Sequence, residues 1–215
     1  MQYTIYQNME DVALWNLVLE GDMKAMSVLY KRHYDLLFNF GLKYVQNDDF
    51  VKDCIQDVFV KLCTSKHLSH TDYVRSYFLT SLKHTISDKL SSQKPLEELS
   101  EHSFNLSIED TGLSVLFKDG DEELGIAQRL VSAYKSLSDN QRMAIYLRYI
   151  KGLSYKEIAV VLDINPQSSM NLVSRALANL RSKMSLEDYL LVLMLFFTRL
   201  YRFFLIPLIF SFKSE

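Results

Sequence analysis

The sequence predicts an all-α protein. Only 6 of the 215 residues are glycine and 3 are proline, far fewer than the turns of a β-sandwich or an α/β enzyme require. Apolar residues recur at helical spacing in two long stretches, and N-capping residues precede several of the helical segments. With 48% hydrophobic and 23% charged residues, we expect two small helical domains, an acidic linker and a hydrophobic helical tail.

The first predicted domain spans residues 1–91 and contains several packed helices. Its polar and glycine residues mark where one helix stops and the next starts. The expected breaks and caps are Gly21-Asp22, then Asn47-Asp48-Asp49 before a helix over Phe50 to Cys63, then Thr71-Asp72 before a helix over Tyr73 to Leu90.

Residues 92–125 form a predicted linker. They hold nine acidic residues against two lysines, and they lack sustained helical periodicity. A solvated tether is the simpler interpretation, and an acidic mimic of nucleic acid lying along a basic channel is the alternative.

The second predicted domain, residues 126–184, is basic, with nine lysines and arginines against three acids, although the whole chain has a net charge of -2. Two capping boxes, Ser138 with Gln141 and Ser154 with Glu157, mark helix starts. A turn at 163–166 and a helix over 166–183 then predict a helix-turn-helix, with Ile164 tucked between its helices. A simple helical hairpin with a polar outer face is the alternative.

The second helix of this motif would be the recognition helix in a DNA major groove. Glutamine and asparagine can read adenine edges, and arginine suits guanine or phosphate. The side chains expected to face outward are Gln167, Ser168, Met170, Asn171, Ser174 and Arg175, and those expected to face inward are Leu172, Val173, Ala176, Leu177 and Leu180.

Residues 137–181, LSDNQRMAIYLRYIKGLSYKEIAVVLDINPQSSMNLVSRALANLR, resemble the minus-35-binding domain of extracytoplasmic-function (ECF) RNA polymerase sigma factors of the sigma-70 family. The segments AMSVLYKRHYDLLFNFGLKYV, KDCIQDVFVKL and VRSYFLTSLKHTISDKL are similar to successive blocks of that family's first domain. The resemblance covers about residues 21–183. It implies core RNA polymerase and promoter DNA as partners, together with an anti-sigma factor.

The resemblance also implies roles for two helices of the first domain. On one helix, Asp53, Gln56, Asp57 and Lys61 share a face and would dock on core polymerase, although an ordinary solvated helix face has the same pattern. The next helix would capture the opened minus-10 strand, because aromatic side chains stack on unpaired bases. The residues expected there are Tyr77, Phe78, Lys83 and His84, and because the two adjacent aromatics cannot both face the core, we expect one of them to be exposed.

The sequence departs from the family where Met170 and Leu172 replace frequent lysine or arginine and where His84 replaces a frequent asparagine. A recognition helix with few charges makes few phosphate contacts, so DNA affinity should depend on polymerase. Two other functions stay open: a sigma-like adaptor or decoy that reads promoters poorly, and a stand-alone helix-turn-helix regulator.

The tail, residues 185–215, contains two uncharged runs of ten, Tyr189 to Thr198 and Phe203 to Phe212, which flank Arg199 and Arg202. Neither run alone is long enough to cross a bilayer. A helix packed on the protein's own domains is the favoured interpretation. A docking segment for a regulator or for polymerase and a membrane-surface anchor are the alternatives.

No catalytic or cofactor site is expected. The sequence has no Walker loop, dinucleotide fingerprint, H-E-x-x-H or G-x-S-x-G motif, and His67 and His70 have no third zinc ligand nearby. Cys54 and Cys63 should lie on opposite helix faces as small core residues of a reduced protein. Because the N-terminus lacks a secretory pattern, we expect a cytoplasmic protein that is not an enzyme.

Overall fold

The computed structural model describes residues 2–65, 67–93, 129–190 and 192–194. All regular structure in these ranges is helical, which confirms the all-α prediction. The chain divides into two compact units, Met1–Ser103 and Phe104–Glu215. The division falls inside the predicted linker, of which residues 94–125 lie outside the described part.

The first unit contains five helices in its described part. Helix α5 begins one residue later and ends three residues later than predicted, so Ser92 and Gln93, expected in the linker, are helical. The helices are α1 (Gln2–Gln7), α2 (Asp11–Leu19), α3 (Met23–Gly41), α4 (Asp48–Thr64) and α5 (Val74–Gln93).

Two predicted helix starts of the first unit are confirmed by a side-chain hydrogen bond to a backbone amide, whereas the third predicted cap, Thr71, accepts a bond from the amide of Tyr73, one residue before α5 begins. The carboxylate of Asp22 accepts bonds from the amides of Lys24 and Ala25 at the start of α3. Asn47 accepts from the amide of Phe50 at 3.0 Å at the start of α4. These bonds satisfy donors that the first helical turn leaves unpaired, so they fix where α3 and α4 begin.

Helices α2 to α5 enclose an aromatic core in the first unit. Trp15, Phe40 and Phe78 are fully buried, and the rings of Trp15 and Phe78 meet edge to face at 5.8 Å. The indole nitrogen of Trp15 donates to the carbonyl oxygen of Ser69 at 3.0 Å. This bond ties the segment before α5 to the core, as the polar end of a buried tryptophan requires.

An ionic cluster of one buried and two partly exposed side chains joins α2 to α3. Asp11 lies 2.8 Å from Nε2 of the buried His33 and 2.6 Å from a guanidinium nitrogen of Arg32. Burial alone would raise the pKa of Asp11, but the bonds and charges of His33 and Arg32 outweigh it and hold that pKa below its usual value. Arg32 also donates to the backbone oxygens of Gln7 and Met9, which holds the end of α1 in place.

The second unit contains the predicted helix-turn-helix. Both predicted capping boxes are present, with the hydroxyl and the longer side chain bonded in each. The helices of its described part are α6 (129–135), α7 (Asp139–Ile145, continuing as a π-helical turn over Tyr146–Ile150), α8 (Tyr155–Leu162), α9 (Pro166–Lys183) and α10 (186–190 and 192–194).

The π-helical turn buries an unusually continuous stretch of chain. Every residue from Met143 to Ile150 is buried except Arg148. An α-helix on a surface keeps one face in the core, whereas the wider π turn rotates the following residues and extends burial around the helix. The sequence analysis did not predict this turn.

The first part of the predicted tail packs on the second unit as α10. Asp188 is buried and accepts two hydrogen bonds from Arg129 of α6, at 2.7 Å from Nε and 3.1 Å from Nη2. Val192 is buried in a core cluster that includes Leu130 and Leu180. This agrees with packing on the protein's own domain for residues 186–194, and residues 195–215 lie outside the described part.

We predict that Asp188→Asn lowers the thermal midpoint of the second unit by a few degrees, because Arg129 then loses its charged partner. The hydrogen bond from Arg129 holds the pKa of Asp188 below its usual value of 3.8. The ion pair therefore stabilises the second unit above pH 3.8. This stabilisation is lost as the pH falls through the lower pKa that Asp188 has in the folded protein. Differential scanning calorimetry against pH measures both effects.

The exposed neighbour Glu187 supplies the matched control, Glu187→Gln. An equal shift in both variants would mean that the ion pair does not hold α10.

Candidate nucleic-acid interface and docking face

The start of α9 is fixed by three local features. Asp163 ends α8 in the left-handed conformation, with φ 54° and ψ 50°. Asn165 then caps α9 by accepting a bond from the amide of Ser168 at 2.7 Å, and Pro166 occupies the first turn, where no amide donor is needed. The predicted turn between the two helices is therefore present.

A buried hydroxyl holds α9 against α8. The side chain of Ser169 is fully buried, and its Oγ lies 2.8 Å from the carbonyl oxygens of both Tyr155 and Pro166. This bond fixes the angle between the two helices at the end of α9 that enters a groove in helix-turn-helix proteins. Sequence analysis missed Ser169, although its spacing from Val173, Ala176 and Leu180 places it on the inward face.

The outward face of α9 agrees with the prediction. Gln167, Asn171, Ser174 and Arg175 are exposed, Met170 is 42% exposed, and Ser168 is half-buried beneath the cap. Of the inward set, Val173, Ala176 and Leu180 are buried and Leu172 and Leu177 are half-buried.

Two amides on this face are already oriented toward each other. Nε2 of Gln167 donates to Oδ1 of Asn171 at 3.2 Å, one helical turn away. This bond leaves Oε1 of Gln167 and Nδ2 of Asn171 to form an acceptor and donor pair, which is the combination that adenine presents in the major groove. The face can therefore read base edges, with Arg175 as its cationic member.

Arg148 contacts the start of the helix-turn-helix. Its guanidinium lies 4.6 Å from the centre of the Tyr155 ring and donates to the carbonyl oxygen of Leu153 at 2.9 Å. It thereby connects the π turn to the start of α8 through a cation–π contact and a hydrogen bond. Only the fold brings these groups together, so sequence spacing could not identify Arg148.

The four residues expected to bind polymerase, Asp53, Gln56, Asp57 and Lys61, are all exposed on α4. Asp57 also has a partner within the protein, because Nζ of Lys89 on α5 lies 2.5 Å from its carboxylate. The hydrogen bond that Lys89 donates to Asp57 raises the pKa of Lys89. The face is thus accessible, and Asp57 both connects two helices and presents a carboxylate to solvent.

The structure corrects the prediction for one of the minus-10 residues. Phe78 is fully buried, with its ring centre 5.3 Å from His33 and 5.2 Å from Phe59. It cannot stack on a base, because α5 turns it into the core. Its neighbour Tyr77 is half-buried and packs on Trp15 at 5.2 Å.

A cavity of about 200 Å³ between α4 and α5 brings two of the predicted sets together. Lys61, predicted for polymerase binding, and Tyr77 and His84, predicted for the minus-10 strand, all line it. Ser65 and Leu68 also line it. Lys83 is half-buried and is not among the residues that line this cavity. The cavity offers an aromatic ring, hydroxyls, a cation and the carboxylate of Asp88, a set that can bond to a polar planar group.

Neither cysteine supports a metal or disulfide site. Cys54 is buried, and burial raises the pKa of its thiol to about 11. Cys63 is exposed, so its prediction as a core residue is wrong. Within the described ranges, no group of three His, Cys, Asp or Glu side chains could hold a metal ion.

Comparison with known proteins assigns both units. Residues 29–95 match the sequence model of sigma-70 region 2, and residues 127–180 match that of sigma-70 region 4. The chain belongs to the sigma-70 family. Curated relatives of the chain are described as ECF RNA polymerase sigma factors.

Three relatives illustrate the similarity of this sigma factor to known ones. ECF sigma factor SigX of Bacillus subtilis is 23% identical over 168 residues, which cover 76% of this chain and 85% of SigX. ECF sigma-E factor of Escherichia coli K12 is 26% identical, with 73% and 85% covered. RNA polymerase sigma factor CarQ of Myxococcus xanthus is 23% identical, with 75% and 90% covered.

The matched regions contain the candidate surfaces. The region 2 match includes all of α4 and α5, and the region 4 match includes α6, α7, α8 and α9 as far as Leu180. Helices α1 and α2 precede the region 2 match, and α10 follows the region 4 match. Within the described ranges, no helix is long and apolar enough to cross a bilayer.

We predict that Phe78→Leu retains promoter opening, because the ring lies in the core and touches no base. Phe78→Ala should instead destabilise the first unit by about 3–5 kcal/mol through the cavity it leaves. Chemical denaturation measures stability, and permanganate footprinting of the opened strand measures melting. If Phe78→Leu were stable but did not open promoters, Phe78 would have a direct role in melting.

Proposed function

We propose that this sigma factor directs promoter-specific transcription initiation with α4 on core RNA polymerase, α5 at the minus-10 strand and α9 in the minus-35 major groove. The chain is an RNA polymerase sigma factor by family, and sigma factors are generally regulatory proteins without catalytic activity. The assignment of surfaces rests chiefly on α9, whose capped and anchored N-terminus presents an exposed row of polar side chains.

The chemistry of the α4 face supports polymerase docking. It carries two carboxylates, an amide and a lysine in exposed positions, which suits an electrostatically steered contact. At the minus-10 element, Tyr77 and His84 are the candidates for an unstacked base, because they line the cavity beside α4. Lys83 would contribute charge near the strand.

The same surfaces predict where a regulator would bind this protein, and its need for polymerase predicts where it acts. We expect the protein to act in the cytoplasm, where polymerase and promoters are found. An anti-sigma factor would inhibit it by covering the α4 face or the outward face of α9. The acidic linker that follows α5 would lie along polymerase as a tether.

A sigma-like adaptor is the second candidate. It is favoured by the composition of the outward face of α9, where Met170 stands exposed and Arg175 is the single cation among the six predicted contact residues. Such a face binds DNA weakly by itself.

Run-off transcription on a genomic fragment library tests the proposal. Purified full chain is combined with homologous core polymerase and compared with a chain that ends at Met194, which retains α10 and its contacts. We expect transcripts that start downstream of a shared two-part motif. Polymerase binding without new transcripts would instead assign the adaptor function.

We predict that Asp57→Lys weakens binding to core polymerase about tenfold or more, because it reverses a charge in the docking face. The substitution also breaks the pair with Lys89. The double variant Asp57→Lys with Lys89→Asp restores an ion pair of swapped polarity and separates the two effects. Competition binding to core polymerase should show weak affinity in both variants, and recovery in the double variant would assign Asp57 a structural role alone.

We predict that Arg175→Ala weakens minus-35 recognition by about 1–3 kcal/mol, because Arg175 would lose its contact with a base edge. Holoenzyme footprinting on promoters scanned base pair by base pair measures the loss and locates it. Arg181→Ala removes the same charge from the last turn of α9 and is the matched control. If both variants lost the same affinity for every promoter sequence, Arg175 would contribute only general electrostatic attraction to DNA.

A further inference from the structure

One large apolar side chain stands exposed on the outward face of α9. Met170 is 42% exposed, and among the exposed large hydrophobic residues of the described ranges it is the one that belongs to helices α7 to α9. Gln167 lies three residues before it and Ser174 four residues after it, so both flank it on the helix surface. An apolar group therefore lies among the polar side chains that would enter the major groove.

The inward face of α9 keeps Met170 at the surface. Ser169 is fully buried, and its Oγ lies 2.8 Å from the carbonyl oxygens of Tyr155 and Pro166. Val173 is 1% exposed in the core of the second unit. A rotation of α9 that buried Met170 would break the bonds of Ser169 and expose Val173. The methionine is therefore available to a ligand that binds this face.

A hydrogen-bonded pair of amides lies on the same face as Met170. Nε2 of Gln167 donates to Oδ1 of Asn171 at 3.2 Å, and Met170 follows Gln167 by less than one helical turn. In the major groove, an A·T pair presents N7 and the N6 amino group of adenine, followed by O4 and the C5-methyl group of thymine. The amides match the polar groups of this row, and an apolar side chain matches the methyl group at its end. A G·C pair presents no methyl group there.

We propose that Met170 determines specificity within the minus-35 element by contacting the C5-methyl group of a thymine. This role rests on the proposed function, because it requires α9 in the major groove. Methionine is flexible and polarisable, so its side chain can adapt to the position of the methyl group. It cannot pair with phosphate as lysine or arginine would, so the free energy that it contributes depends on the base that it meets.

Uracil substitution in the promoter tests the role of Met170. Uracil lacks the C5-methyl group of thymine but keeps its pairing with adenine, so it removes this contact alone. Uracil replaces each thymine of the minus-35 element in turn, on both strands of a promoter obtained from the run-off experiment. Competition binding then measures the affinity of the holoenzyme that contains the full chain. We expect a position at which uracil weakens binding about fourfold, the factor for burial of one methyl-sized group.

The variant Met170→Ala completes a cycle with the uracil substitution. On thymine DNA it should bind about fourfold or more weakly than the original protein, and at the same position it should no longer distinguish thymine from uracil. Alanine favours helix, so α9 should stay folded, which circular dichroism verifies. The matched control is Leu190→Ala, which shortens an exposed apolar side chain outside the helix-turn-helix and should keep the preference for thymine.

The variant Met170→Lys exchanges base reading for attraction to phosphate. It should bind every promoter sequence more tightly and lose the preference for thymine over uracil. The slope of log affinity against log salt concentration should steepen by about one, because one more phosphate is neutralised.

Two results would overturn the role of Met170 and leave the proposed function intact. One is protection of the minus-35 element by the holoenzyme without any position at which uracil weakens binding. The other is a preference for thymine that Met170→Ala retains, which would assign the effect of the methyl group to another side chain or to DNA shape. An absence of minus-35 protection would overturn the proposed function and this role together.

Discussion

The amides at the start of a helix need hydrogen-bond acceptors, and the architecture of this sigma factor depends on how its side chains meet that need. Asp22 and Asn47 start two helices of the first unit, and Ser138, Ser154 and Asn165 start three of the second. With so few glycines and prolines, these caps are the main signals that end one helix and begin another. They set which residues of α4 and α9 face solvent.

These caps also explain why much of the fold could be predicted from the sequence. A cap acts over three residues, so Ser154 and Glu157 reveal a helix start without knowledge of the tertiary structure. The apolar period then separates Val173 and Ala176 from Asn171 and Arg175. The outward face of α9 was therefore predictable except at Ser168, which is half-buried beneath the cap.

Contacts between distant segments could not be predicted in this way. Nothing in the spacing pairs Asp57 with Lys89 or Arg129 with Asp188, because only packing brings those helices together. The sequence also could not show which of the adjacent residues Tyr77 and Phe78 on α5 is buried, because their side chains have similar apolar character. The choice between them depends on the angle at which α5 meets Trp15.

The π-helical turn over Tyr146–Ile150 lets one part of the second unit absorb a change in chain length. A π turn holds one residue more than an α turn, so loss of a single residue there would return the helix to α geometry. The wider π turn and the α turn that would replace it both complete about one turn, so the chain that follows would keep nearly its present direction. A single-residue deletion in this short stretch should therefore change which of its side chains are buried without re-aiming the helix-turn-helix.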